Sequence, residues 1–140
     1  DSIPGRLRTV VYLDAFVPFA GESLSDIVGG LGDPGAEVIQ PPWVDPADPY
    51  PRDVPHPAAT FRERLRLKGP PAGEVPAAYV LTVEPSEPVD DFQTQADRAE
   101  SLGWPVYVVE GDHNVQRSAR GELVRLIEEI AGAVRDRRRE

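Results

Sequence analysis

Ala77-Ala78-Tyr79-Val80-Leu81-Thr82-Val83 is an almost unbroken apolar run, and a little farther on Trp104-Pro105-Val106-Tyr107-Val108-Val109 is another. Neither alternates apolar with polar, which is the pattern of strands covered on both faces in a parallel sheet. Between them, Val89 to Leu102 reads as a helix with Phe92, Ala96, Ala99 and Leu102 along one face and Gly103 as its stop. Strand, helix and strand with short links form a βαβ unit, so the two strands run parallel with a right-handed crossover. The fold class is therefore α/β, built on a parallel sheet.

Upstream, Thr9-Val10-Val11-Tyr12-Leu13 is a third run of the same kind, ending at Asp14. Ser23 to Leu31 suits a short helix, with Ser23 capping and Asp26 three residues on. Downstream, Arg120 to Val134 predicts a terminal helix whose apolar face includes Leu123, Ile127, Ile130 and Val134. Between Pro34 and Pro76 lie eleven prolines, with Trp43, Tyr50, His56 and Phe61 among them. Proline fixes φ and removes a donor, so this stretch is expected to hold no regular sheet, with room for a helix only from Ala58 to Leu67. Long irregular insertions in compact domains are functional lids or disordered, and the aromatics favour a lid. The chain thus divides into residues 1–32, strand and short helix of the core; 33–76, the proline-rich insertion; and 77–140, the C-terminal βαβα part.

The formal charge of −9 argues against nucleic acid, whose phosphates draw on clustered positive charge. The basic cluster at residues 135–139 is read as a solvated helix end that complements the helix dipole. No cysteine is present, so disulfides, thiolate zinc sites and a cysteine nucleophile are excluded. No run reaches the ~18 apolar residues of a membrane span, so no membrane partner is expected and the cytoplasm is the expected location. Fourteen arginines against one lysine suggest a GC-rich bacterial source. The chain starts at Asp1 and contains no methionine, from which an upstream segment is expected. Three buried-type strands make a narrow sheet that wants neighbours, and the first has no earlier partner in the chain; missing strands, or self-association as a homodimer, would supply them.

In open parallel sheets, ligands bind beyond the carboxyl ends of the strands. Asp14, Glu84 and the Asp112-His113 pair stand at those ends. A carboxylate and an imidazole at one sheet edge are two parts of a Ser-His-acid triad, in which the acid orients the histidine and the histidine takes the nucleophile's proton. Plainer readings compete: a loop histidine bonded to backbone, Asp14 as a turn residue, Glu84 as a solvated side chain. His56 and His113 lack metal-ligand spacing, and Gly29-Gly30 lacks the context of a dinucleotide loop, so no metal or cofactor is expected.

Val11-Tyr12-Leu13-Asp14-Ala15-Phe16-Val17-Pro18, the proline-rich insertion, Ala78 to Glu84, and Gly111-Asp112-His113 followed by a helix with Leu123-x-x-Leu126-Ile127-x-x-Ile130-Ala131 together resemble α/β-hydrolases of the plant methylesterase and hydroxynitrile lyase type, with their bacterial relatives. The resemblance spans Arg8 to about Ala133. It implies that these are the last three strands, the lid and the last helices of that fold, and that His113 is the catalytic histidine. It also implies a serine in a Gly-x-Ser-x-Gly elbow upstream. Ser2, Ser23, Ser25, Ser86, Ser101 and Ser118 all lack the elbow's glycines.

The family's usual acid position falls at Pro85, which cannot serve, and Glu84, one residue earlier, is expected on the wrong face of the strand. Some α/β-hydrolases place the acid after the preceding strand. Asp14 is therefore the first choice of orienting acid, Glu84 the second, and Asp112 a turn residue shaping the His113 loop. Phe16, Trp43 and Asn114 are the candidate substrate-binding residues. The expected function is serine-hydrolase cleavage of an ester or related acyl bond in a small molecule, the nucleophile coming from the missing N-terminal half. A lyase or cyclase using His113 as acid–base, and a ligand-binding module that has lost its nucleophile, are the alternatives.

Overall fold

The run 77–83 becomes the middle strand of a three-stranded parallel sheet in the computed structural model, which describes residues 6–30, 35–41, 44–49, 52–86 and 92–137. In chain order the elements are β1 (Val10–Leu13), α1 (Leu24–Val28), β2 (Val38–Ile39), β3 (His56–Pro57), α2 (Ala59–Arg62), β4 (Ala77–Val83), α3 (Gln93–Ser101), β5 (Val106–Glu110), α4 (Val115–Ser118) and α5 (Arg120–Arg137). They form two compact units: one holds the chain up to Val17 and again from Ala72, the other is Pro18–Pro71.

In the first unit the strand order is β1-β4-β5. Val10 to Leu13 pair with Ala77 to Val80, and Tyr79 to Val83 pair with Val106 to Glu110, all parallel. The central position explains the composition of β4: with a strand on each side and helices over each face, Ala77 to Thr82 are all buried. Successive side chains alternate between faces. Ala78 and Val80 enter a core with Val109, Val115, Leu123 and Ile130, beneath α4 and α5. Tyr79 and Leu81 enter a second with Val17, Ala96 and Ala99, beneath α3.

The small residues Ala96 and Ala99 give α3 its buried side, and Gly103, at φ +74°, ends it by donating to Glu100 O at 2.8 Å. The described helix begins at Gln93, with Phe92 at its N-cap; the start expected at Val89 lies outside the described residues.

The face of α5 is narrower than the sequence predicts. Leu123, Ile130 and Val134 are buried and Leu126 packs beside them, but Ile127 is 42 % exposed. A sheet three strands wide covers one stripe of the helix, and Ile127 stands at that stripe's rim.

In the second unit, Ser23 caps α1 through the expected capping box with Asp26, but the helix stops at Val28, short of the expected Leu31, because Gly29 at φ +81° ends it. The proline-rich stretch does contain a ladder, against expectation: Val38–Ile39 pairs antiparallel with His56–Pro57. Pro57 is tolerated because the ladder is two residues long and the next donor, Ala58 N, takes up the bond to Glu37 O. The helix expected over 58–67 is only Ala59–Arg62. Leu65 instead bonds backbone to backbone with Gly21 and Glu22, which draws the chain out of helical form. Ile39, Ala58 and Phe61 form a small core with Leu24. Among the described residues no helix is long and apolar enough to cross a membrane.

Candidate acid–base site

β1 hands over to Asp14 with one last ladder bond, Asp14 N to Val80 O at 2.8 Å. The backbone then turns to φ +44°, a region where aspartate is enriched and most side chains are not. This turn lays the carboxylate over the end of β4. There Oδ1 accepts from Thr82 N at 3.1 Å.

β5 ends in the same manner, with Gly111 N donating to Val83 O at 3.0 Å and Gly111 at φ +157°. A Cβ at Gly111 would stand 3.1 Å from Val115 Cγ2 and 3.3 Å from Ser118 Oγ, so α4 packs tightly on a position whose space and positive φ favour glycine. Asp112 Oδ1 accepts from Asn114 N and from Ser118 Oγ, each at 2.9 Å. That folds the turn that delivers the next side chain, His113, and it is the shaping role read from sequence.

β1 and β5 are not neighbours; β4 lies between them, and the outer strands stand about 10 Å apart, two interstrand spacings. The two turns close that gap. His113 Nδ1 meets Asp14 Oδ2 at 2.6 Å, between a side chain 62 % exposed and one 2 % exposed. A buried carboxylate is costly unless its oxygens are bonded, and here both are. With the shared proton on Nδ1, the imidazole's second nitrogen, Nε2, carries a lone pair. Among the described residues it has no hydrogen-bond partner.

Aromatic rings complete the site. Phe92 stacks on the imidazole with centroids 5.1 Å apart and planes 11° apart, and Phe16 packs on Phe92 at 5.1 Å and 47°. The segment joining Asp14 to Phe16 is tied down by side chains: Tyr79 OH donates to Ala15 O at 3.0 Å, Val17 N donates to Gln95 Oε1 at 2.9 Å, and Arg98 donates to Val17 O at 3.0 Å.

Of the residues singled out from sequence, His113 and Asp14 come together, and Phe16 joins them through Phe92. Glu84 is exposed, one residue past β4, and is not the carboxylate at the imidazole. Asn114 is exposed at the start of α4 and accepts from Gln116 Nε2 at 3.3 Å. Trp43 lies outside the described residues. No group of three or more metal-binding side chains occurs among the described residues. Sequence reading missed Phe92, Thr82, Gln95 and Arg98. For Phe92 a signal existed: the helix of a βαβ unit starts at the carboxyl edge of the sheet, the edge that carries Asp14 and His113. No family model, curated protein or solved structure matches the chain.

Proposed function

We propose that Asp14 and His113 are the acid and base of an α/β-hydrolase that cleaves an ester or related acyl bond of a small molecule. The observation that carries this reading is the 2.6 Å bond between a buried carboxylate and Nδ1 of a largely exposed imidazole, which leaves Nε2 as the nitrogen not engaged by the acid. That is the orientation a triad histidine needs. The resemblance to the methylesterase and hydroxynitrile lyase type supports it, and supplies the missing nucleophile as a serine outside these 140 residues.

In this mechanism Nε2 takes the proton from the serine hydroxyl as its oxygen adds to the acyl carbon. Asp14 stabilises the imidazolium, which then protonates the departing alkoxide. Water repeats the sequence on the acyl-enzyme, returning acid and serine. The apolar residues of β1, only half buried at the edge of the sheet, support a further strand pairing there, contributed by the part of the fold that carries the serine.

The test is turnover of short-chain aryl esters by the protein that carries these residues. His113→Ala is expected to lower kcat by several orders of magnitude, and unchanged turnover would sink the reading. A second reading, lyase or cyclase chemistry, rests on the same Nε2, which has no hydrogen-bond partner among the described residues and could act on the substrate's own proton. A serine-directed phosphonate separates the two: loss of activity with labelling marks the hydrolase, whereas retained activity without labelling marks the lyase.

A further inference from the structure

We infer that Phe92 is a positioning residue for His113, its ring face fixing the plane of the imidazole and so the direction in which Nε2 presents its lone pair. The inference rests on the acid–base reading and adds an element to it. One hydrogen bond from Nδ1 ties the ring at a single point, and rotation about the Cα–Cβ or Cβ–Cγ bond carries Nδ1 off Asp14 Oδ2 and swings Nε2 with it. A side chain 62 % exposed has few walls to prevent this. Among the described residues, Phe92 is the one ring that contacts the imidazole, and the near-parallel planes at 5.1 Å describe an offset stack, a favoured aromatic geometry.

Phe92 is itself held on two sides. Its carbonyl accepts from Gln95 N at 2.9 Å and Ala96 N at 3.1 Å, joining it to the first turn of α3. Its ring bears on Phe16, two residues from the acid. Gln95 and Arg98, from the same helix, hold the backbone of Val17 just beyond Phe16. The contacts therefore close a circuit from Asp14 through Phe16 and Phe92 to His113. The base is oriented by α3 as well as by the loop that carries it.

The test is the 15N spectrum of the neutral His113 ring, which distinguishes the Nδ1–H from the Nε2–H form. The wild-type chain is expected to hold the proton on Nδ1. In Phe92→Leu, which keeps apolar volume but has no flat face, the ratio of the Nδ1–H to the Nε2–H form is expected to fall about two- to tenfold, the equilibrium factor of an aromatic pair beyond its buried area. Phe92→Tyr is expected to restore it. Should Phe92→Leu fail to fold, Phe92→Met makes the same comparison. A wild-type ratio in the folded Leu or Met variant overturns the inference, as does a Tyr variant no better than the Leu variant, since packing alone would then account for Phe92. The spectrum needs no turnover, so this failure is distinct from that of the acid–base reading, which His113→Ala decides.

Discussion

Asp14 stands at φ +44° with its carboxylate bonded on both oxygens, a conformation that persists because surrounding contacts over-determine it. Asparagine tolerates the same backbone region and keeps the acceptor for Thr82 N, so Asp14→Asn should retain the fold. It presents an amide to Nδ1, and on the proposed hydrolase reading it is expected to lower turnover on the order of 10⁴-fold, the loss seen when a triad histidine is held in the wrong tautomer. Asp14→Ala should also cost stability, about 1–3 kcal/mol by denaturant titration, because Thr82 N is left buried without its acceptor. Gly111→Ala is expected to destabilise by about 1–3 kcal/mol on the same titration, since its Cβ meets Val115 and Ser118 and its φ of +157° disfavours a side chain. Asp14 and His113 were legible because each follows an apolar run that ends at the ligand-binding edge of a parallel sheet. The choice of Asp14 over Glu84 was argued from the strand's alternation and from the resemblance, and the geometry brings Asp14 to the imidazole. Phe92 went unread as a site residue because its helical spacing with Ala96 and Ala99 already explained it as core.

β4 was the most legible element, its bounds coinciding with the apolar run 77–83. It sits between two strands and two helical layers, so every position answers to the same demand for burial. Leu81, 3 % exposed beneath α3, is therefore a sensitive position: Leu81→Ala should cost about 2–5 kcal/mol of unfolding free energy, measured by denaturant. α1 was legible through its cap. The backbone and side-chain bonds from Ser23, with Arg64 nearby, hold the Asp26 carboxyl below the usual carboxylate range. A lowered folded pKa contributes stability that is present above the ordinary value and lost as pH falls through the folded one. The thermal midpoint should therefore drop between pH 6 and pH 3 by more in the wild type than in Asp26→Asn. The two-residue strands β2 and β3 were not legible, and of the helix read over 58–67 only Ala59–Arg62 forms. They are fixed by pairing with segments distant in sequence, as Leu65 is by Gly21 and Glu22.

At the scale of the whole molecule, both outer strands of the sheet carry an unpaired edge among the described residues, and β1 is apolar yet only half buried. Such edges pair with other chains. The 140 residues expressed alone should self-associate with rising concentration in sedimentation, and a monomer throughout the millimolar range would show the edge to be covered. The sequence by itself determined the α/β class, the parallel pairing of β4 with β5, the capped start of α1, the glycine stop after α3, and which residues stand at the carboxyl edge. These follow from local chemistry: apolar periodicity, caps and glycine stops act over a few residues. Only the tertiary structure decided that Asp14 and His113 meet across β4, that α3 lends Phe92, Gln95 and Arg98 to them, and that Ile127 lies outside the core. Those outcomes depend on strand order, on turns at Asp14 and Gly111, and on the width of the sheet, which set distances between residues up to 99 positions apart and leave no periodic trace in the chain.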